Sequence, residues 1–233
     1  EVIDIRRKTG EIMQGTIEKI AVIGLGKVGS LVASLLHHDG AKVTGFDQTI
    51  SGDFTFETKT LDVTDEKALE DAVKGFDAIV SCLPYFLNTL IVKVAIKTET
   101  HYFDLTEDVP HTNFVKEHSA NAKTVLVPQC GLAPGYIGIV GSSLMKEFSS
   151  VRSLELRVGA LPRDPHGLLG YAVNWSAEGI INEYLNDAEV IREGQRKTVP
   201  SLSEIETVII NGIKLEAFIT SGGLGTMTDT YEG

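Results

Sequence analysis

The stretch EKIAVIGLGKVGSLVASLLHHDGAKVTGFD, residues 18–47, decides the fold of this chain. An apolar run, KIAVIG, leads directly into Gly24-x-Gly26-x-x-Gly29, then into a helix-periodic segment and a second apolar run that ends on Asp47. Strand, glycine turn and helix in that order build a phosphate cradle at a helix N-terminus. Gly24 permits the tight turn, Gly26 lets backbone approach a pyrophosphate, and Gly29 lets the helix pack closely on the strand. Lys27 adds charge there, with Val28 beside it. Asp47, about 20 residues on, suits the ribose hydroxyls and repels a 2′-phosphate, so NAD is expected as cofactor and NADP is disfavoured. The following QTIS holds no basic residue, although Lys42 and Lys59 lie in neighbouring strands.

The alternation continues to Gly131. KIAVIG, AKVTGFD, TKTLDV, DAIVSCLP, THYFDLT and KTVLVPQCG read as strands, apolar on both faces as buried parallel strands are. The segments between them carry apolar residues near 3.6 spacing and read as helices. The expected fold class is α/β, a Rossmann doubly wound parallel sheet. Asp62 and Val63 end the third strand, where they can flank an adenine ring; Asp62 equally suits the helix start TDEKALED, with Thr64 as cap. Ser81, Cys82, Leu83 and Pro84 end the fourth strand, beside the nicotinamide ribose in folds of this kind.

Composition narrows the class. The 233 residues allow two domains, and 21 Lys plus Arg against 32 Asp plus Glu give a formal charge of -11. That balance argues against nucleic acid and anionic membrane surfaces as partners. No apolar run approaches the roughly 20 residues of a membrane span. Cys82 and Cys130, the two cysteines, both sit in apolar runs and are expected to pack as small apolar side chains in a reducing cytoplasm. No His/Cys spacing supports a metal.

The pattern changes in the second half. Pro134 and Gly135 open an apolar helix, and VRSLELRVGALP reads as an alternating strand from Val151 to Pro162. ETVIINGIKLEAFITSGG reads as two strands joined at Asn211-Gly212, a type I′ hairpin signal, and AEGIINEYL as a helix. The expected organisation is a leader or extra segment at 1–17, an NAD-binding domain at 18–148, and an incomplete α+β substrate and dimerisation domain with an antiparallel sheet at 149–233. The closing SGGLGTMTDTYEG shows no terminating helix or strand.

In an open α/β sheet, reacting groups gather at the carboxyl ends of the strands. There the chain supplies Tyr85, Asp104, Thr106, Glu107 and Gln129. Asp104, near the end of the fifth strand, is the first choice as acid or base because burial raises a carboxyl pKa; a cap on the following helix is its structural alternative. Arg163 can grip a carboxylate or lie exposed in its loop. Ser176 to Glu178 reads as an N-cap with a first-turn acid, and Thr220 to Gly223 offers backbone N–H groups to an anion or forms a plain turn.

SCLPYFLN, HYFDLTED, QCGLAPG, RVGALP, GYAVNWSAEGIINEY and LEAFITSGGLGTMTDTYEG, in this order after the glycine loop, resemble the saccharopine dehydrogenase family, and within it the branch of lysine 6-dehydrogenase and glutamate-forming saccharopine dehydrogenase. The resemblance implies nicotinamide-dependent oxidation of a C–N bond in an amino acid or its secondary amine, through an imine that water opens. It implies catalytic roles for Asp104, Tyr85 and Arg163, and substrate contacts from Thr106, Gln129, Asn174, Trp175, Glu178 and Thr220. In the family the chain returns from the substrate domain to finish the first domain, and this sequence stops before that return. A homodimer is expected. A non-catalytic NAD-sensing module and an enzyme acting on carboxylated polyamines are the alternatives.

Overall fold

The computed structural model describes residues 17–120, 122–159, 161–164, 166 and 176–231. The chain divides into two compact units. One runs up to Asp104 and resumes over Asn113–Pro128; the other comprises Leu105–Thr112 and the chain from Gln129 onward.

The first unit is a six-stranded parallel sheet: β1 (Lys19–Ile23), β2 (Lys42–Asp47), β3 (Glu57–Thr60), β4 (Ala78–Ser81), β5 (His101–Asp104) and β6 (Leu126–Val127), in the order β3-β2-β1-β4-β5-β6. Strand alternation sorts side chains between two cores. Ala21, Ile23, Phe46, Ile79 and Tyr102 face one side, packed with Leu69 and Val73 of α2 (Glu66–Val73) and Ile91, Val92 and Ala95 of α3 (Tyr85–Lys97). Ile20, Val22 and Val43 face the other, packed on Ala33 of α1 (Lys27–His38). The expected doubly wound sheet is therefore present.

Two details of the first unit differ from the sequence pattern. β3 ends at Thr60 rather than running through Asp62, and it is a largely exposed edge strand, so it has no second apolar face to bury. The cap of α2 is Asp65, whose carboxylate accepts from the Ala68 N–H at 3.0 Å, instead of Thr64. Thr64 is already engaged by Asp62 through both its amide and its hydroxyl.

The helix α4 (Val109–Ser119) follows β5. Beyond it, the second unit contains α5 (Tyr136–Met145), α6 (Ala177–Leu185), the hairpin β7 (Ala188–Arg192) with β8 (Gln195–Val199), the hairpin β9 (Glu206–Ile210) with β10 (Ile213–Ala217), and α7 (Met227–Tyr231). Asn211 and Gly212 have φ of 50° and 79°, the double left-handed conformation that an Asn-Gly hairpin turn requires. The β7–β8 hairpin turns on Glu193-Gly194, a weaker signal that the sequence pattern alone passed over.

None of the described residues between Val151 and Pro162 lies in a strand. The alternation there is met by side-chain packing: a Cβ on Gly141 of α5 would come within 2.9 Å of Leu156 and 3.1 Å of Leu154. Arg157 pairs with Glu155 and Glu206. The closing segment does hold a helix, α7, anchored by its buried Thr228, whose hydroxyl donates to Glu189 at 3.2 Å. Among the described residues no helix is long and apolar enough to cross a membrane.

Candidate functional site

The glycine loop between β1 and α1 is shaped by three contacts. Gly24 takes φ 92° and its N–H donates to the Phe46 carbonyl at 2.8 Å, which ties the turn to β2. A Cβ at Gly29 would fall 1.7 Å from the Gly24 carbonyl oxygen, so only glycine lets α1 start this close to the strand. At Gly26 a Cβ would meet nothing within 4 Å. Gly26 is also the N-cap of α1, and no side chain caps its N–H groups. Open space in front of uncapped amides at the positive end of a helix fits the pyrophosphate of a dinucleotide. Lys27 and Val28 are exposed on the first turn.

Asp47 ends β2 as expected, but its carboxylate is occupied by the loop itself. Oδ2 accepts from the Leu25 N–H at 2.7 Å and Oδ1 from the Thr49 N–H at 3.3 Å. Beyond β2 and β3, Gln48, Thr49, Thr60, Leu61 and Asp62 line an open depression of about 460 Å³. Asp62 accepts from the Thr64 amide and hydroxyl, which hold its pKa below the usual carboxylate range, while Val63 is buried in the core. A polar depression beside the glycine loop fits the adenosine half of the same group.

At the end of β4, Ser81 is buried and its hydroxyl donates to Oδ1 of the buried Asn88 at 2.7 Å. Asn88 is a residue the sequence reading missed; a lone carboxamide on the buried face of an otherwise apolar α3 was its signal. Cys82 is partly buried, and burial followed by the charge of Asp104 pushes its thiol up to about 12. Leu83 packs against the core, Pro84 caps α3, and Tyr85 opens that helix edge-on to Phe86. Asp104 is fully enclosed, with the Tyr102 hydroxyl donating to Oδ2 at 2.7 Å. Residues 102 and 104 are two apart on β5 and therefore share a face.

Within the second unit, three loops converge. Thr106, Glu107 and Asp108 are buried, and the Asp108 N–H donates to the Thr106 hydroxyl at 3.1 Å. Asp108, rather than Asp104, caps the first turn of α4, accepting from the His111 N–H at 2.8 Å. Gln129 is buried with φ 63°, and a Cβ at Gly225 would lie 2.9 Å from its Oε1. A Cβ at Gly131 would lie 3.2 Å from the Leu105 carbonyl, and one at Gly222 would lie 2.9 Å from that of Glu107. Residues 105–112, 129–135 and 220–225 thus meet, and they carry Thr106, Gln129 and Thr220. Ser176 caps α6, its Oγ accepting from the Gly179 N–H at 3.0 Å while donating to Glu178. Arg163 and His166 are exposed, and Cys130 is exposed rather than packed, because it sits in the loop after β6. Asn174 and Trp175 lie outside the described residues.

A six-stranded parallel sheet with an uncapped glycine loop, followed by an α+β unit, defines a dinucleotide-binding protein with a second unit of its own. Residues 20–126 match the family model described as saccharopine dehydrogenase NADP binding domain, and residues 131–232 match saccharopine dehydrogenase C-terminal domain. The chain belongs to the saccharopine dehydrogenase family. It is 28% identical over 153 residues to the NADP(+), L-glutamate-forming saccharopine dehydrogenase of Schizosaccharomyces pombe, covering 63% of this chain and 34% of that protein. It is 24% identical over 204 residues to the mitochondrial alpha-aminoadipic semialdehyde synthase of Mus musculus, covering 82% of this chain and 22% of that one. The structure of apo saccharopine dehydrogenase (L-Glu forming) from Saccharomyces cerevisiae aligns with a TM-score of 0.67 at 22% identity, over 86% of this chain and 49% of that one, and so shares its fold. The chain spans about a third of the length of the fungal relatives.

These matches overturn the expectation of NAD. The matching domain is an NADP-binding one, and the fungal relatives are named for NADP(+). The expectation rested on Asp47 as a ribose acceptor that repels a 2′-phosphate. The Asp47 carboxylate instead accepts two backbone amides, which disperse its charge within the loop.

Proposed function

We propose that this chain carries the cofactor-binding and substrate-facing parts of an NADP-dependent oxidoreductase that acts on the C–N bond of an amino acid or secondary amine of the saccharopine type. The observation that carries this reading is the uncapped N-terminus of α1 facing open space at Gly26, in a chain both of whose halves match the same family. In it, Gly24, Gly26, Lys27 and Gly29 hold the pyrophosphate, and the depression at Gln48, Thr49, Thr60 and Asp62 receives the adenosine half. When bound, the nicotinamide accepts the hydride.

The chain's own residues then have three tasks: to hold the substrate carboxylate, to take a proton from its ammonium, and to position water on the imine. We assign Arg163 and Thr220 to the carboxylate, Thr106, Gln129 and Glu178 to the remaining polar groups of the substrate, and Tyr85 to the mouth of the cofactor site. Asp104 with Tyr102 is the buried polar pair that ends β5. The test is formation of reduced nicotinamide by the full-length protein supplied with NADP+ and saccharopine, L-lysine or a carboxylated polyamine. Turnover with one of them is expected. NADP+ binding without turnover on any of them would overturn this reading in favour of a non-catalytic binding module.

A further inference from the structure

The hairpin of β9 and β10 stands as a sheet of two strands, and its register sorts the side chains by face. Ile210 opposes Ile213 and Val208 opposes Leu215 on one face; Ile209 opposes Lys214 and Thr207 opposes Glu216 on the other. Ile210 and Ile213 are 51% and 62% exposed, although each has the other as its cross-strand neighbour. A two-stranded ribbon is marginal in water by itself, and an exposed apolar face of this kind calls for further strands.

The free edge is that of β10. In a hairpin with a two-residue turn, the pair beside the turn, here Ile210 and Ile213, exchanges both hydrogen bonds, and such pairs recur at every second position. The N–H and C=O groups of Ile213, Leu215 and Ala217 therefore face β9, while those of Lys214 and Glu216 point away from it. Among the described residues β10 pairs with β9 alone, and Lys214 and Glu216, both exposed, make no ion pair. The start of β9 is already approached by Arg157, which pairs with Glu206. The hairpin of β7 and β8 is tied to α7 by Thr228 with Glu189 and by Arg196 with Asp229.

We propose that β10 docks on the β10 of a second copy of this chain, antiparallel about Leu215, to give a four-stranded sheet β9-β10-β10-β9. The strand, IKLEA, is self-complementary in that register. Lys214 opposes Glu216 of the second copy, twice by symmetry, and these are the residues whose backbone groups point outward, so each pair also exchanges two hydrogen bonds. Leu215 opposes Leu215, and Ile213 opposes Ala217, on the face that already holds Ile210 and Val208. A slip by one residue sets outward backbone groups against inward ones. A slip by two sets Lys214 against Lys214 or Glu216 against Glu216, and like charges directly opposite destabilise a sheet. The two charges thus guard the edge against indiscriminate pairing and admit the strand that offers their opposites in the same order.

The experiment measures the oligomeric state of the full-length protein by sedimentation over a range of concentrations, with Lys214→Glu, Glu216→Lys and the double exchange Lys214→Glu/Glu216→Lys. The wild type should dimerise. Each single variant sets like charges opposite at both symmetric pairs and should weaken dimerisation by about tenfold or more. An equimolar mixture of the two single variants restores opposite charges at both pairs and should recover it, as should the double exchange. Leu215→Cys should cross-link the two copies at position 215 on mild oxidation, because a non-hydrogen-bonded pair brings its Cα atoms to about 4.5 Å, within the span of a disulfide. Peptide mapping separates that bond from any made by the exposed Cys130. A wild type that stays monomeric, as when another segment or another protein covers the edge, overturns the proposal. So does a dimer indifferent to all three charge changes, which places the contact elsewhere, and so does a loss in the single variants that their mixture fails to recover.

Discussion

The Oδ2 of Asp47 accepts the backbone N–H of Leu25 at 2.7 Å, so the acid that ends β2 pins the glycine loop from below. A charge-assisted hydrogen bond of this kind stabilises by about 1.5–3 kcal/mol. Asp47→Ala should therefore loosen the loop and weaken NADP+ and NAD+ by a similar factor, on the order of tenfold, in titration calorimetry. A loss confined to NAD+ would instead place the carboxylate on the ribose.

The three loop glycines should separate folding from binding. Gly29→Ala puts a methyl 1.7 Å from the Gly24 carbonyl and should destabilise the first unit by about 3 kcal/mol or more. Gly26→Ala meets no protein atom, so its melting temperature should stay within a few degrees of the wild type. Its NADP+ affinity should nevertheless fall about tenfold or more, because the methyl occupies the space through which backbone approaches phosphate. Wild-type affinity in Gly26→Ala would remove the phosphate from that position.

The two cysteines should differ in reactivity. Burial and Asp104 push the Cys82 thiol up to about 12, while Cys130 is exposed. Brief alkylation of the folded protein at about pH 8, read by peptide mass spectrometry, should modify Cys130 and spare Cys82. Prior denaturation should make both react.

His101 sets an acid-side limit on stability. Its Nδ1 accepts the Val125 N–H at 3.0 Å, and burial holds the ring below its usual 6.5. The unfolded chain then binds the proton first, so this contribution is present above about pH 6.5 and is lost as pH falls below it. His101→Gln, which keeps an acceptor for Val125, should show a smaller drop in melting temperature between about pH 6.5 and pH 5.

Much of the first unit is legible in the sequence, because buried parallel strands and the helices between them impose periods of two and 3.6 on the same chain. The exceptions are informative. Thr64 and Asp65 both suit a helix cap, and only the turn around Asp62, which engages Thr64, leaves the task to Asp65. The Val151–Pro162 alternation satisfied the strand pattern, yet a pattern of side chains does not supply a neighbouring backbone, and Leu154 and Leu156 pack on α5 instead. Glu193-Gly194 turns a hairpin as Asn211-Gly212 does, but with a less diagnostic pair of residues.

Local sequence by itself determined the glycine loop, the order of strands and helices in the first unit, the Asn211-Gly212 turn and the family, since each depends on residues close together or on motifs in a set order. Tertiary structure alone decided what the acids do. Asp47 bonds to Leu25, Asp104 to Tyr102, and Asp108 to the start of α4. A carboxylate's role follows from which donors and charges surround it and from how far water is excluded, and those are set by the path of the whole chain.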